Sequence, residues 1–247
     1  MIDELNSVVG LLLTESLPEH VRSAIAPKES QMGAAADDAT PNENTLKSWR
    51  TATRKHLIER RTAASAASRA QWSERIDRHL EAVLPDVRGL VVAFCWPYRA
   101  EHDPRAIVLR LLARGSRAAL PVIVGPRMPL EFRDWHEAAE MEDGAHGIPI
   151  PKHGARTIPD LVILPANGFD EQGFRLGYGA GYFDRTLASL PRRPTVFGIS
   201  FELGRLATIH PQPHDIPLDY IVTEEGAFKR VDGGLIRVQV KPARAQE

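Results

Sequence analysis

The stretch Asp160-Leu-Val-Ile-Leu-Pro165-Ala-Asn-Gly-Phe-Asp170-Glu-Gln-Gly-Phe-Arg175-Leu-Gly177-Tyr-Gly179-Ala-Gly181-Tyr-Phe-Asp184-Arg185 opens apolar and closes in a segment free of helix breakers. Its first six residues read as a strand covered on both faces, because a half-exposed strand would alternate with polar positions. A helix is expected from Gly181 to Leu190. Between the two, glycines at 177, 179 and 181 permit positive φ and remove side chains, so successive N–H groups can converge on an oxyanion. The helix adds its positive end. In open α/β sheets ligands bind where strands end, which is where this loop falls. Such a turn is also compatible with a packing role alone. The spacing excludes two familiar nucleotide motifs: no glycine follows Gly179 by three residues, and no Gly-Lys-Ser/Thr is present.

Working outward, Gly89 to Cys95 is a second continuous apolar run of strand length. Asp103-Pro104 suits a helix start, with Asp103 at the cap and proline at the first position, and Gly115 ends that helix. Strands are expected at Arg117–Val124, Leu130–Trp135 and Thr195–Phe201, with Tyr220–Thr223 as the last of the core. Upstream, Lys47 to Arg61 is basic and lacks Gly and Pro. Trp72, Ile76, Leu80 and Val83 then fall at helical spacing, and Pro85 closes that segment. Strands alternating with helices imply an α/β fold: a layered, mostly parallel sheet flanked by helices, as one domain over residues 46–230.

The flanks read differently. Residues 1–45 hold eight acids against Arg22 and Lys28, so they form an acidic extension, with a short amphipathic helix in Ile2–Leu17 and a flexible linker after it. The rest carries 29 bases against 24 acids, a mildly basic body that suits an anionic ligand. Residues 231–247 are expected to be a loose tail. The apolar run Val8–Leu13 is far too short to span a bilayer. The acid-rich start is unlike a transit or secretory leader, so a cytoplasmic location is expected. Cys95 is the single cysteine, which excludes an intrachain disulfide and any cysteine zinc cluster. His210 and His214 flank prolines that prevent a helical metal pair. The basic residues are dispersed, which argues against nucleic acid.

Taken whole, the Phe169–Asp184 segment resembles the signature of the 5-formyltetrahydrofolate cyclo-ligase family, Phe-Asp-x-x-Gly-x-Arg-Leu-Gly-x-Gly-x-Gly-Tyr-Tyr-Asp. It reads here as Phe169-Asp170, Gly173, Arg175-Leu-Gly177, Gly179 and Gly181-Tyr182-Phe183-Asp184. The likeness continues upstream, where Arg50 and Arg54 are four apart on one helix in the register of the family's Lys and Arg. Downstream, His214-Asp215 and the Asp219–Thr223 strand follow the family's closing His-Asp and Thr-Glu pattern. Two positions depart from it: Ala180 stands where glycine is common, and Asn167 where small or apolar residues are usual.

The resemblance implies an ATP- and Mg²⁺-dependent conversion of 5-formyltetrahydrofolate to 5,10-methenyltetrahydrofolate, releasing ADP and phosphate. It implies that Arg175, Leu176, Gly177, Tyr178, Gly179, Ala180, Gly181, Tyr182 and Phe183 hold the ATP phosphates together with Arg50 and Arg54. Lys47 is the alternative to Arg50 if the register slips. Arg54, Arg175 and Asp184 would be catalytic, and Asp184 and Asp215 would be magnesium carboxylates. Trp96 and Glu101 would contact folate, with Tyr182 closing its pocket. The partners implied are ATP and a folate with or without a polyglutamate tail, with no nucleic acid and no membrane, and the chain is expected to act as a monomer. Alternatives are a relative acting on another formylated or folate-like substrate, and a folate-binding module without turnover.

Overall fold

A computed structural model of the protein describes residues 43–239. The expected acidic extension, with its Ile2–Leu17 helix, lies outside the described residues apart from its last three positions. The chain opens with two helices, α1 (Glu43–Ala63) and α2 (Ala66–Val83). Glu43 in the first turn of α1 and Arg60 and Arg61 in its last suit the helix dipole. Ser65 caps α2 by accepting a hydrogen bond from the Ser68 N–H. Then follow β1 (Val91–Phe94), α3 (Arg105–Ala113), β2 (Arg117–Val122), β3 (Glu131–Trp135), β4 (Met141–Asp143), β5 (Pro149–Pro151), β6 (Arg156–Thr157) and β7 (Leu161–Pro165). The second half runs β8 (Gly168–Asp170), β9 (Arg175–Leu176), α4 (Tyr182–Ser189), β10 (Thr195–Ile199), β11 (Arg205–Leu206), β12 (Tyr220–Thr223), β13 (Gly226–Val231) and β14 (Gly234–Arg237).

Nine of these strands form one sheet in the order β14-β13-β12-β10-β7-β1-β2-β3-β6. The five from β12 to β2 are parallel, and antiparallel strands close both edges. Side chains alternate across the sheet. Val92, Phe94, Leu161 and Ile163 pack with Ile76 and Leu80 of α2 and Ile107 and Leu111 of α3 on one face. On the other, Val91, Ala93, Val162 and Leu164 meet Leu187 of α4 and Phe169 of β8. Burial on both faces is why β1 and β7 are uninterrupted apolar runs. A separate small sheet, β11-β8-β9, lies beside α1, where Leu57 packs on Leu176 and Ile209.

Two expectations are corrected. Tyr220–Thr223 is not the last strand: β13 and β14 fold back on it as a hairpin, and β14 lies inside the stretch expected to be tail. The turn between them is Asp232-Gly233, and Gly233 and the first residue of β14, Gly234, have φ of 96° and 136°; Asp-Gly is a sequence signal that marks a hairpin. Pro104, rather than Asp103, occupies the cap of α3, while the Asp103 carboxylate accepts from the Arg105 N–H two residues on. No described helix is long and apolar enough to cross a membrane.

Candidate active site

The strands β1, β7 and β10 end on the same side of the sheet, and the loops that leave them carry the chemistry. After β7 the chain makes β8, turns tightly and returns as β9. Asp170, the motif's first acid, is 1% exposed and bonds only backbone: Oδ1 accepts from the N–H groups of Gln172 and Phe174, and Oδ2 from Ile209. It is a brace for the turn. Gly173 there has φ of 82°, a conformation that side-chain-bearing residues adopt at a cost.

Beyond β9 the glycine loop runs from Gly177 into the N-terminus of α4. Arg54, on α1, donates from Nε to the Gly177 carbonyl at 2.8 Å and so pins the loop's start. Gly179 and Gly181 have φ of 98° and 65°. The N–H groups of residues 178–181 make no hydrogen bond to another described residue, so a row of donors is open beside the helix start. Ala180 does not have positive φ, so its methyl brings none of the strain that glycine would relieve. Burial first, and the charge of Arg50 second, push the Arg54 guanidinium down from its ordinary value, against the pull of Asp215. Two cations held together by the fold have the electrostatics of an anion site.

Lys47 is exposed, whereas Arg50 is partly buried against the loop that carries Asp215. The Arg50 guanidinium grips the Asp215 carboxylate, 2.6 Å from Nη2 to Oδ2 and 3.4 Å from Nη1 to Oδ1, and also donates to the carbonyls of Ile209 and His210. Burial alone would raise the Asp215 carboxyl. The Arg50 and Gln212 hydrogen bonds and the Arg50 charge hold it below the ordinary carboxylate value. Arg175 is buried, with Nη1 donating to the Ile216 carbonyl and Nη2 to Asp184 Oδ1, both at 3.1 Å. Asp184 Oδ1 also accepts from the Ile216 N–H at 3.0 Å. Asp184 therefore sits against the residue that follows Asp215, and the two carboxylates expected at a metal share one corner of the site. No group of three His, Cys, Asp or Glu side chains suited to a metal occurs among the described residues. Magnesium, the ion the resemblance implies, needs only one or two protein carboxylates beside phosphate oxygens. Asp184 Oδ2 takes no hydrogen bond from a described residue and fits directly. Both Asp215 oxygens are engaged by Arg50, so Asp215 would offer a ligand only with that pair open.

Glu101 leaves β1 through a turn, Tyr98 to Glu101, in which Arg99 and Ala100 have φ of 48° and 60°. Two adjacent left-handed residues without glycine mark stored strain of the kind found where a side chain must be aimed. The side chain is 5% exposed. Its Oε1 accepts from the Tyr178 hydroxyl at 2.7 Å and its Oε2 from the Tyr98 N–H at 3.0 Å. Burial raises its carboxyl above the ordinary value, opposed in turn by the Tyr178 hydroxyl, the Arg61 charge and the Tyr98 N–H. Beside it lies a cavity lined by Arg61, Cys95, His102, Ala166, Ser200 and Phe201 among others. Burial pushes the Cys95 thiol up, and Glu101 and Arg175 act on it in opposite senses.

The structure thus brings Arg50, Arg54, Gly177–Gly181, Arg175, Asp184 and Asp215 together, and it joins the glycine loop to Glu101 through Tyr178. Three expected residues have side chains already engaged by protein neighbours. Leu176 packs in the core against Leu57. Trp96, expected to contact folate, carries the Arg105 guanidinium over its ring at 4.5 Å and meets Trp135 by its edge. The Tyr182 ring lies under Arg185 at 5.3 Å. Arg61, which in sequence reads as one more base on a solvated helix face, is instead buried beside Glu101. It stands seven residues after Arg54, two helical turns on, and that spacing was the available signal.

The glycine loop yields a prediction. A methyl at Gly179 would sit 3.2 Å from the Arg54 guanidinium carbon, on a backbone at positive φ. Gly179→Ala is therefore expected to weaken ATP binding by about tenfold, on the order of the roughly 1 kcal/mol strain of an L-residue there plus displacement of Arg54. Nucleotide titration checks it, and the melting temperature should move little because the loop is exposed.

Residues 46–224 match the sequence profile of the 5-formyltetrahydrofolate cyclo-ligase family. A 5-formyltetrahydrofolate cyclo-ligase of Mycolicibacterium smegmatis is 29% identical over 175 residues, 68% of this chain and 89% of that protein. One from Escherichia coli strain K12 is 27% identical over 174 residues, 68% of this chain and 96% of that protein. Among solved structures, the 5,10-methenyltetrahydrofolate synthetase of Aquifex aeolicus superposes with a TM-score of 0.65 at 26% identity, covering 80% of this chain and 99% of its own. The profile match spans well over half the sequence and contains every element of the site just described, so the chain belongs to the 5-formyltetrahydrofolate cyclo-ligase family, a family of ligase enzymes.

Proposed function

We propose that the protein converts 5-formyltetrahydrofolate to 5,10-methenyltetrahydrofolate at the cost of one ATP. The observation that carries this reading is the hydroxyl of Tyr178. It ties the open donors of the glycine loop to the buried Glu101, so a phosphate cradle and a buried acceptor for a flat polar ring share one site.

The formyl group on N5 is an amide whose oxygen is a poor leaving group. Transfer of the γ-phosphoryl group to that oxygen, attack of N10 on the formyl carbon and departure of phosphate with loss of the N10 proton close the ring. No side-chain nucleophile is needed. The protein has to align two substrates and offset charge on the moving phosphoryl group. The N–H groups of residues 178–181 and Arg54 would hold the phosphates, and Arg175 would keep Asp184 and the Asp215–Ile216 segment in place. Asp184 and Asp215 would hold a magnesium ion, which would supply charge neutralisation. The Arg50–Asp215 pair suits this as a pair that separates, since a phosphate satisfies the guanidinium while a cation satisfies the carboxylate. Glu101 would accept hydrogen bonds from the amino-pyrimidine edge of the pterin. Tyr182, at the loop's exit, would close the pocket.

The test is direct. Purified protein with 5-formyltetrahydrofolate is expected to give methenyl absorbance only when ATP and Mg²⁺ are both present. Tight folate binding with no turnover under any divalent ion would instead indicate a binding module.

A further inference from the structure

Arg61 projects from the last turn of α1 into the wall of the Glu101 cavity and is 4% exposed. All three of its nitrogens are engaged. Nε donates to the Arg99 carbonyl at 3.0 Å, Nη1 to Asn167 Oδ1 at 2.9 Å and Nη2 to the Tyr178 hydroxyl at 3.1 Å. Nη2 also lies 3.7 Å from Glu101 Oε1. One guanidinium thus braces the strained turn that presents Glu101, the tyrosine that donates to Glu101, and the carboxylate itself. Asn167, which departs from the family pattern, is the buried partner that fills the remaining arm of the fork.

Resting on the reading of Glu101 as the pterin contact, we propose that Arg61 is a positioning residue that keeps Glu101 ionised and aimed. A buried carboxylate without a cation takes up a proton, and the neutral acid offers an O–H donor where an amino-pyrimidine edge needs two acceptors. The groups facing Glu101 leave few substitutes. Tyr178 comes from the glycine loop, Tyr98 N–H from its own turn and Cys95 from the end of β1. Arg175 lies beyond Cys95. His102 follows in the chain, with Asp77 of α2 3.1 Å from its Nε2. Among the described residues, Arg61 is the cation within 4 Å of the carboxylate.

The experiment measures 5-formyltetrahydrofolate binding to the full chain by calorimetry, without ATP, from pH 6.5 to 8.5. Arg61→Gln keeps hydrogen-bonding capacity and loses the charge. Its affinity is expected to be weak at pH 6.5 and to rise with pH by as much as about tenfold per unit, the slope of a single carboxyl losing a proton. Wild type should be nearly flat, as should Arg61→Lys. The double variant Arg61→Gln, Glu101→Gln should be flat and weak, which removes any titration of the ligand from the comparison. A folded Arg61→Gln variant with a flat profile overturns the proposal, because a merely structural arginine would lower stability without creating a titration. If Arg61→Gln does not fold, the carboxyl stretch of Glu101, assigned by difference against Glu101→Gln, decides in wild type: ionised at pH 7 is expected, and protonated overturns the proposal. Wild-type protein that binds no folate at any pH overturns the functional reading itself, and this proposal with it.

Discussion

Asp184→Asn is expected to lower turnover by about 10²–10³, on the order of 3–4 kcal/mol, by analogy with removal of one electrostatic stabiliser from an active site. The substitution keeps an oxygen at Oδ1, so the hydrogen bonds from Arg175 and the Ile216 N–H can persist. What disappears is the charge at Oδ2, the oxygen free of described partners. ATP should still bind, because Arg54 and the N–H groups of residues 178–181 are untouched, yet its affinity should depend less on magnesium. Turnover should fall more than ATP affinity, since the ion acts mainly on charge that shifts as the phosphoryl group moves. The competing view, that Asp184 only secures Arg175, predicts a lower melting temperature with unchanged magnesium dependence. A simple surface pair with Arg185 does not form: that guanidinium donates to the Ala180 carbonyl. Measuring kcat against magnesium concentration, with ATP binding in parallel, separates the cases. Wild-type turnover and unchanged magnesium dependence would rule out the metal role.

The reason so much of this site can be read in the sequence is that its parts are local. The segment from Asp160 to Arg185 contains a strand, a brace, a glycine loop and a helix start, and each is specified by residue types within a few positions. The parallel sheet is legible for a similar reason, since β1 and β7 are buried on both faces and so are written as apolar runs without polar alternation. What stays hidden depends on tertiary contact. The Arg50–Asp215 pair joins residues 165 positions apart, and no pattern in either segment announces it. Arg61 looks like one more base on a basic helix face until the fold buries it against Asn167. Trp96 looks like a stacking platform because nothing in the chain says that Arg105, at the start of α3, will lie over its ring. The β13–β14 hairpin is a different case. Its Asp-Gly turn was visible, but Lys229, Arg230 and Arg237 make its strands polar at an exposed edge, and a reading that follows apolar runs stops at Thr223.

Glu101→Gln is expected to raise the KM for 5-formyltetrahydrofolate by about 10- to 100-fold while leaving the KM for ATP nearly unchanged, the size of one or two hydrogen bonds to a charged group lost from a buried site. The amide keeps one acceptor, which the Tyr178 hydroxyl or Tyr98 N–H can still use, but places an N–H₂ donor against the donors of the amino-pyrimidine edge. Binding to the wild type should weaken as pH falls through the carboxyl's own value, which burial has raised, because the acceptor is lost on protonation. The Gln variant has nothing to titrate there and should show a low, flat profile over the same range. Folding should tolerate the change, since burial makes the charged form costly and the amide removes that cost, although Arg61 loses its counter-charge at 3.7 Å. The outcome depends on where the pterin sits. If folate lay instead against Trp96, on the far side of Arg105, Glu101→Gln would change neither KM nor pH profile, and Trp96→Leu would raise the folate KM. Steady-state kinetics in both substrates, followed from pH 8.5 down into the acid range where the wild-type carboxyl takes up its proton, distinguish the two placements, and an unchanged folate KM throughout would remove Glu101 from the site.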